Sequence, residues 1–288
     1  MGLEDKVVIT TALSGGGTFK HQNPAVPYTP EEFAEEAYKA YQSGTSIVHI
    51  HAKDPETGMP TPDLNIIRNT VDAIKAKCNV LINLSTAIGA GVSPDDRIRP
   101  VTELKPDLAS LNTNTMNFAL ADHKTGEIGI EIIFENTFAM IKRFANEMRE
   151  AKTKPECEVY DIGHVYNVEL IRKQKVFEEP LHFQFVFGVA GGIPFSPANF
   201  IRFTESLPKD ATWSACGVGP HSFPAAFMSA IMGGHIRVGL EDNINITRGV
   251  KAKGNYELVE KAVQIAKLAE REIATVEEAK EFLQLPKR

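Results

Sequence analysis

The chain has little of what would place it in several large protein classes. Of its 288 residues only three are cysteines, Cys78, Cys157 and Cys216. They are odd in number and far apart, which excludes a disulfide framework and predicts free thiols in a reducing cytoplasm. No apolar run approaches the ~18 residues of a membrane span. Lysine and arginine number 31 against 37 acidic residues, a net charge of −6. That balance leaves no electrostatic footprint for nucleic acid or an anionic membrane. The opening Met1-Gly2-Leu3-Glu4-Asp5-Lys6 lacks the charged and apolar regions of a secretory signal. Gly2 alone is a weak cue for myristoylation, and Lys6 is not the serine or threonine that signal wants. Internal repeats, low-complexity tracts and linkers are also missing, so residues 1–288 are expected to form one domain.

What is present alternates. Val7–Ala12 is β-branched and runs into Ser14-Gly15-Gly16-Gly17, which predicts a strand and a glycine loop. Thr29-Pro30-Glu31-Glu32 then predicts a helix to about Ser43, with Thr29 as N-cap, Pro30 at N1 and Glu32 completing a capping box. Further strands are expected at Ile47–His51, Val80–Ser85, Leu108–Asn112, Glu158–Ile162, Phe183–Val189, Thr212–Val218 and His235–Leu240. Helices are expected over Leu64–Lys77, up to Ala151, and over Asn255–Glu270. Thr275-Val276-Glu277-Glu278 caps a last short helix ending near Leu285. Eight strands interleaved with helical segments predict an α/β fold, a closed (β/α)8 TIM barrel with a C-terminal helical extension. A dinucleotide-binding sheet is excluded, because no G-x-G-x-x-G opens a helix after the first strand.

The polar residues cluster where such a barrel does chemistry. Ser14, His49, His51, Ser85, Thr113, Asp161, Glu241 and Asp242 fall at or just beyond expected strand C-termini. His49 and His51, two apart on a strand, point to the same side and form half of a metal site. Two imidazoles and a carboxylate suit zinc with a position left open; manganese or iron would accept the same trio. Glu241 and Asp242 are adjacent, so an extended strand would turn them apart, and the chain must bend for both to reach one site. Arg237 is placed to pair with Asp242. On these grounds one acid is a ligand and the other a base, without deciding which. Ser85 either binds a substrate carboxylate or caps the next segment, and Thr113, with Asn112 and Asn117 around it, has the same two readings. His164, His182 and His221 lack ligand spacing and are expected to be structural. Phe183, Phe185 and Phe187 are expected to pack.

Several blocks resemble the β-keto acid cleavage enzymes. They are Val48-His49-Ile50-His51 with Asp54 and Thr57-Gly58, Asn83-Leu84-Ser85-Thr86, and Ser110-Leu111-Asn112-Thr113 with Met116-Asn117-Phe118. Pro155-Glu156, Glu158-Val159-Tyr160-Asp161 and the long string Gly233 to Asn243 complete them, in order along almost the whole chain. The resemblance implies an enzyme that takes a β-keto acid and acetyl-CoA as co-substrate and yields acetoacetate and a CoA ester of the remaining fragment. It implies one Zn2+ per chain on His49, His51 and Glu241, and Asp242 as the base poised by Arg237. Ser85 and Thr113 would meet the substrate carboxylate or the reacting groups, and the assembly would be a homotetramer. Where the amino-substrate member of the family keeps an acid in the first loop, this chain has Ser14-Gly15-Gly16-Gly17-Thr18. A neutral or anionic β-keto acid is therefore expected. The alternative is a zinc-dependent TIM-barrel hydrolase of amidohydrolase type, which also uses an H-x-H but places it on the first strand.

Overall fold

The computed structural model describes residues 5–89, 91–122 and 125–287. The reading of Met1–Glu4 as lacking a signal lies outside them. Eight parallel strands close into a barrel. In chain order they are β1 (Ile9–Ala12), β2 (Ile47–Ile50), β3 (Leu81–Leu84), β4 (Leu108–Asn112), β5 (Lys154–Val159), β6 (His182–Phe187), β7 (Thr212–Gly217) and β8 (His235–Val238). Sequential strands are neighbours, and β8 closes on β1 through Ile236, Arg237 and Val238 against Ile9, Thr10 and Thr11. The expected (β/α)8 architecture is present.

Helices between the strands are α1 (Pro30–Ser43), α2 (Leu64–Lys77), α3 (Pro94–Leu104), α4 (Phe138–Glu150), α5 (Ile162–Arg172), α6 (Pro197–Ser206) and α7 (Ser222–Ile231). After β8 come α8 (Asn255–Leu268) and α9 (Val276–Phe282). Helix α1 starts as its sequence dictates: Thr29 accepts from the Glu32 amide at 3.3 Å and Glu32 accepts back from the Thr29 amide at 3.2 Å. The same reciprocal box, Thr275 with Glu278, starts α9. That helix closes the lower end of the barrel. Val276, Ala279 and Leu283 pack with Ala274 against Val8, Ile47, Leu81 and Leu108 at the starts of four strands.

Strand alternation splits each strand's side chains between two environments. Val48, Ile50, Ile82, Leu84, Ala109, Leu111, Cys157, Val159, Ile236 and Val238 belong to the apolar clusters between strands and helices. The residues between them, including His49, Asn83, Ser110, Glu156, Glu158 and Arg237, are buried and polar. The barrel interior is thus a polar column inside an apolar shell. Phe183, Phe185 and Phe187 pack outward with Phe200 and Phe203, and Trp213 stacks on Phe185.

Two departures from expectation have local causes. The fifth strand is Lys154–Val159, earlier than the expected Glu158–Ile162. Lys154 and Pro155 lie ahead of the expected strand, but the Lys154 side chain is wholly buried and its ammonium donates to the Pro180 carbonyl. Asp161 consequently leaves the strand and caps α5, accepting from Gly163 at 3.4 Å. A hairpin, Met116–Ala121 against Ile128–Phe134, and helices α3, α5, α6 and α7 add to the elements expected individually. The Ser93-Pro94-Asp95-Asp96 start of α3 is a legible cap, but Pro100 inside the helix obscures its pattern.

Candidate active site at the barrel mouth

Strand β2 carries His49 at its end and His51 just beyond, both directed inward. Their Nε2 atoms lie 3.7 Å and 3.5 Å from the two Glu241 carboxylate oxygens. The three residues offer ligand atoms within 4.8 Å of one another. Metal–ligand bonds near 2.0–2.1 Å in a tetrahedron place donor atoms roughly 3.4 Å apart, close to the spacings found. Glu241 Oε2 is buried and accepts no hydrogen bond, and the Nδ1 atoms of both histidines are also without partners. A buried acceptor left unmet is costly, so the donor set fits a divalent cation.

Glu241 and Asp242 both reach the site because the chain turns sharply after β8. Gly239 has φ 151°, and a Cβ there would stand 2.1 Å from the Ala12 carbonyl oxygen, so only glycine fits. The Asp242 and Asn243 amides then both donate to the Gly239 carbonyl, at 3.1 Å and 3.0 Å. This is the bend the adjacent acids require.

Arg237 sits beneath them and is shared among three carboxylates. It donates from Nε and Nη2 to Asp242, each at 3.0 Å, and from Nη2 to Glu241 at 2.7 Å. Nη1 donates to Glu158 at 3.2 Å. The two adjacent acids are driven apart electrostatically. Burial acts to raise the Glu241 carboxyl, but Arg237, His51 and His49 together hold it well below the usual range. Burial raises Asp242, with Glu241 adding to it, and Arg237 only partly opposes this. An acid kept ionised beside an acid biased toward taking a proton is the pairing expected of a ligand and a base. Burial also pushes the His49 imidazole down to about 3, keeping it neutral.

Ser85 lies just past β3, and its hydroxyl oxygen accepts from the Ala87 amide at 3.1 Å. His51 and Ser85 line the same small cavity, with Pro60, Thr61 and Ile88. Thr113 is fully buried and donates its hydroxyl to the Glu158 carbonyl at 2.8 Å, tying β4 to β5. His164 serves the turn before α5, its Nδ1 accepting from the Tyr160 amide at 2.9 Å. His182 bonds Thr212, His235 accepts from the Val8 amide, and His221 stacks on Phe195.

Further polar residues join the site without a sequence signal that marks them as part of it. Glu158 becomes visible only once β5 is placed correctly, since Glu156 and Glu158 then alternate inward. Asn112 and Asn114 are buried at the exit of β4, and none of their side-chain nitrogen or oxygen atoms has a hydrogen-bond partner. Lys53 continues the alternation of His49 and His51. It is fully buried and donates to the carbonyls of Thr18 and Gly58, each at 2.9 Å, which holds down the first loop. Burial lowers its ammonium to about 8. In that loop a Cβ on Gly15 would fall 2.5 Å from Glu241 Cγ. Gly17 is exposed, with Leu120 of the hairpin as its nearest neighbour at 3.8 Å from a built Cβ.

A parallel eight-stranded barrel with imidazoles, carboxylates and a guanidinium gathered at its C-terminal face defines a TIM-barrel enzyme. Residues 6–285 match the beta-keto acid cleavage enzyme family, and the chain belongs to that family. It is 42% identical over 284 residues to the 3-keto-5-aminohexanoate cleavage enzyme of Fusobacterium nucleatum, covering 98% of this chain and 99% of that one. It is 33% identical over 302 residues to the 3,5-dioxohexanoate:acetyl-CoA acetone transferase of Paraburkholderia graminis, covering 99% and 97%. Among solved structures, ObcA with oxaloacetate is similar in fold, with a TM-score of 0.72 at 20% identity, covering 92% of this chain and 68% of that chain. The amidohydrolase alternative is not favoured: the H-x-H pair stands on the second barrel strand, and the family is another one.

Proposed function

We propose that this protein condenses a β-keto acid with acetyl-CoA and releases acetoacetate and a CoA ester of the remaining fragment. The observation that carries this reading is the His49-His51-Glu241 cluster beside the Arg237–Asp242 fork, in a chain of this family. His49, His51 and Glu241 would hold one Zn2+, whose chemistry when bound is to polarise the ketone and stabilise negative charge developing toward C2. Asp242 takes the C2 proton. Arg237 fixes the direction of that carboxylate, and Glu158 anchors Arg237 from the other side. The C2 carbanion forms a bond to the acetyl carbonyl carbon of acetyl-CoA, and the CoA thiolate leaves. The thiolate then adds to C3, and the C2–C3 bond breaks to give the new thioester. Asp242 returns the proton to C2 of acetoacetate. Ser85 beside His51 and the buried carboxamide of Asn112 would meet the substrate carboxylate, while Thr113, whose hydroxyl bonds the Glu158 carbonyl, would hold β4 and β5 in place behind them.

The substrate we infer is a neutral or anionic β-keto acid. The Fusobacterium relative bears the name of an amino substrate, but Ser14–Thr18 offers no carboxylate to an ammonium. An unpaired cation in a closed pocket costs several kcal/mol, on the order of what reverses a preference. Leu120 beside Gly17 gives that side of the mouth an apolar wall instead.

The assembly we infer is a cytoplasmic homotetramer. Ile128 and Ile133 stand exposed on the hairpin, large apolar side chains that assembly would cover. Among the described residues no helix is long and apolar enough to cross a membrane. Light scattering on the eluting protein gives its mass directly.

The deciding experiment incubates the purified protein with acetyl-CoA and a panel of β-keto acids. Acetyl-CoA-dependent acetoacetate formation supports the reading. Its absence across the panel, with hydrolysis of an amide or ester instead, would return the protein to the hydrolase class.

A further inference from the structure

Beneath the mouth, one step down the barrel, lies a second ring of buried polar groups that takes no part in the reaction above. Asn83 on β3 is the register partner of His49 on β2. Its Nδ2 donates to Glu156 Oε1 on β5 at 2.8 Å, crossing the barrel interior past β4. Beyond it, Glu156 Oε2 lies 3.8 Å from His182 Nε2. Asn83 and Glu156 are completely buried, and His49 and His182 nearly so.

Three atoms in this ring have no hydrogen-bond partner, Glu156 Oε2, Asn83 Oδ1 and His49 Nδ1, and the last two belong to register-paired residues on adjacent strands. A neutral imidazole carries one N–H and one lone pair, and the partner of the first decides which nitrogen offers the second. With Nδ2 turned toward Glu156, the oxygen is the carboxamide atom left without a partner, and it is the acceptor open to the histidine.

We propose that Asn83 is a positioning residue for His49, its Oδ1 accepting the Nδ1–H so that Nε2, the atom facing Glu241, keeps its lone pair for a metal, with Glu156 setting which way the carboxamide faces. Partners of this kind fix the tautomer and ring direction of a ligating histidine, and losing one weakens metal affinity about 10–100-fold. The inference rests on the metal reading of His49, His51 and Glu241.

The test compares Asn83→Leu, which removes the acceptor, with Asn83→Asp, which keeps one. Zinc dissociation constants are measured by chelator competition, beside the melting temperature of each metal-free variant. Asn83→Leu should bind zinc about 10–100-fold more weakly, and excess zinc should restore its turnover. Asn83→Asp should stay within about threefold of the parent, the restored acceptor offsetting the neighbouring Glu156. Leu and Asp variants that weaken zinc equally, or a Leu variant that binds as tightly as the parent, would overturn the proposal. Should Asn83→Leu fail to fold, 15N-histidine NMR of the unsubstituted metal-free protein decides it. The His49 signal, assigned by its loss in His49→Gln, must show the proton on Nδ1, and a proton on Nε2 refutes the role of Asn83. A parent protein that took up no divalent cation would remove the metal reading instead, and the same spectrum would still report the tautomer.

Discussion

Arg237 and Asp242 are joined by two parallel hydrogen bonds, Nε to Oδ2 and Nη2 to Oδ1, each 3.0 Å long. A paired fork fixes both the position and the plane of a carboxylate, which a single lysine contact does not. The two residues are five apart in sequence, and the turn at Gly239 is what brings them together.

Asp242→Asn should therefore keep its metal and lose its base. Turnover is expected to fall about 10²–10⁴-fold, the usual effect of removing a general base. Metal content by elemental analysis should be unchanged. A variant with near-normal kcat would refute the assignment.

Metal content separates the ligands from the base. The parent should carry one divalent ion per chain, and His49→Ala with His51→Ala should carry none. Glu241→Gln should weaken binding without abolishing it. Gly15→Ala should do the same from outside the ligand set, because its Cβ would press on Glu241 Cγ at 2.5 Å. Full occupancy in the double histidine variant would remove the metal site.

Substrate preference is tested by one added carboxylate. Gly17 is open, and a Cβ there meets Leu120 only at ordinary van der Waals distance. Gly17→Glu should raise kcat/KM for 3-keto-5-aminohexanoate at least about tenfold relative to a neutral or anionic β-keto acid, equivalent to roughly 1.4 kcal/mol. For the parent the order should be reversed. Finding the amino acid to be the parent's best substrate would mean that an acid from another loop serves it.

Stability should depend on pH through Glu156, whose carboxyl burial pushes up to about 7 from 4.5. A raised acid favours the folded state while it is protonated, so that contribution is full below about pH 4.5 and is lost as pH rises through about 7. Glu156→Gln does not titrate. Its melting temperature should gain on the parent between about pH 5 and pH 8 by several degrees, since a carboxyl displaced by one pH unit changes stability by about 1.4 kcal/mol. A gap that stays constant with pH would show that Glu156 titrates normally.

Much of the barrel could be read from the chain because local signals agree with the tertiary structure. The Thr29 and Thr275 capping boxes start their helices where expected, and the His49-x-His51 alternation survives folding because β2 is held in parallel register between β1 and β3. Reading fails where tertiary packing overrides local chemistry. Lys154 looks like a loop residue, yet it lies buried inside a strand start, and misplacing β5 hides Glu158. Asn83 and Asn112 are invisible as interior groups for a related reason. A lone asparagine on an otherwise apolar strand gives no sequence signal of the ring it joins across the barrel.

Asn112 and Asn114 carry a wider consequence. Two buried carboxamides without protein partners hold the fold below its attainable stability, at a cost of about 1–3 kcal/mol for each group left unmet. Replacing them with apolar residues of similar size would relieve that burden and raise thermal tolerance. The same exchange would erase polar groups already aligned before any substrate arrives. Thermal tolerance and readiness to bind thus compete at the exit of one strand, and screening variants for heat resistance alone would favour loss of the site.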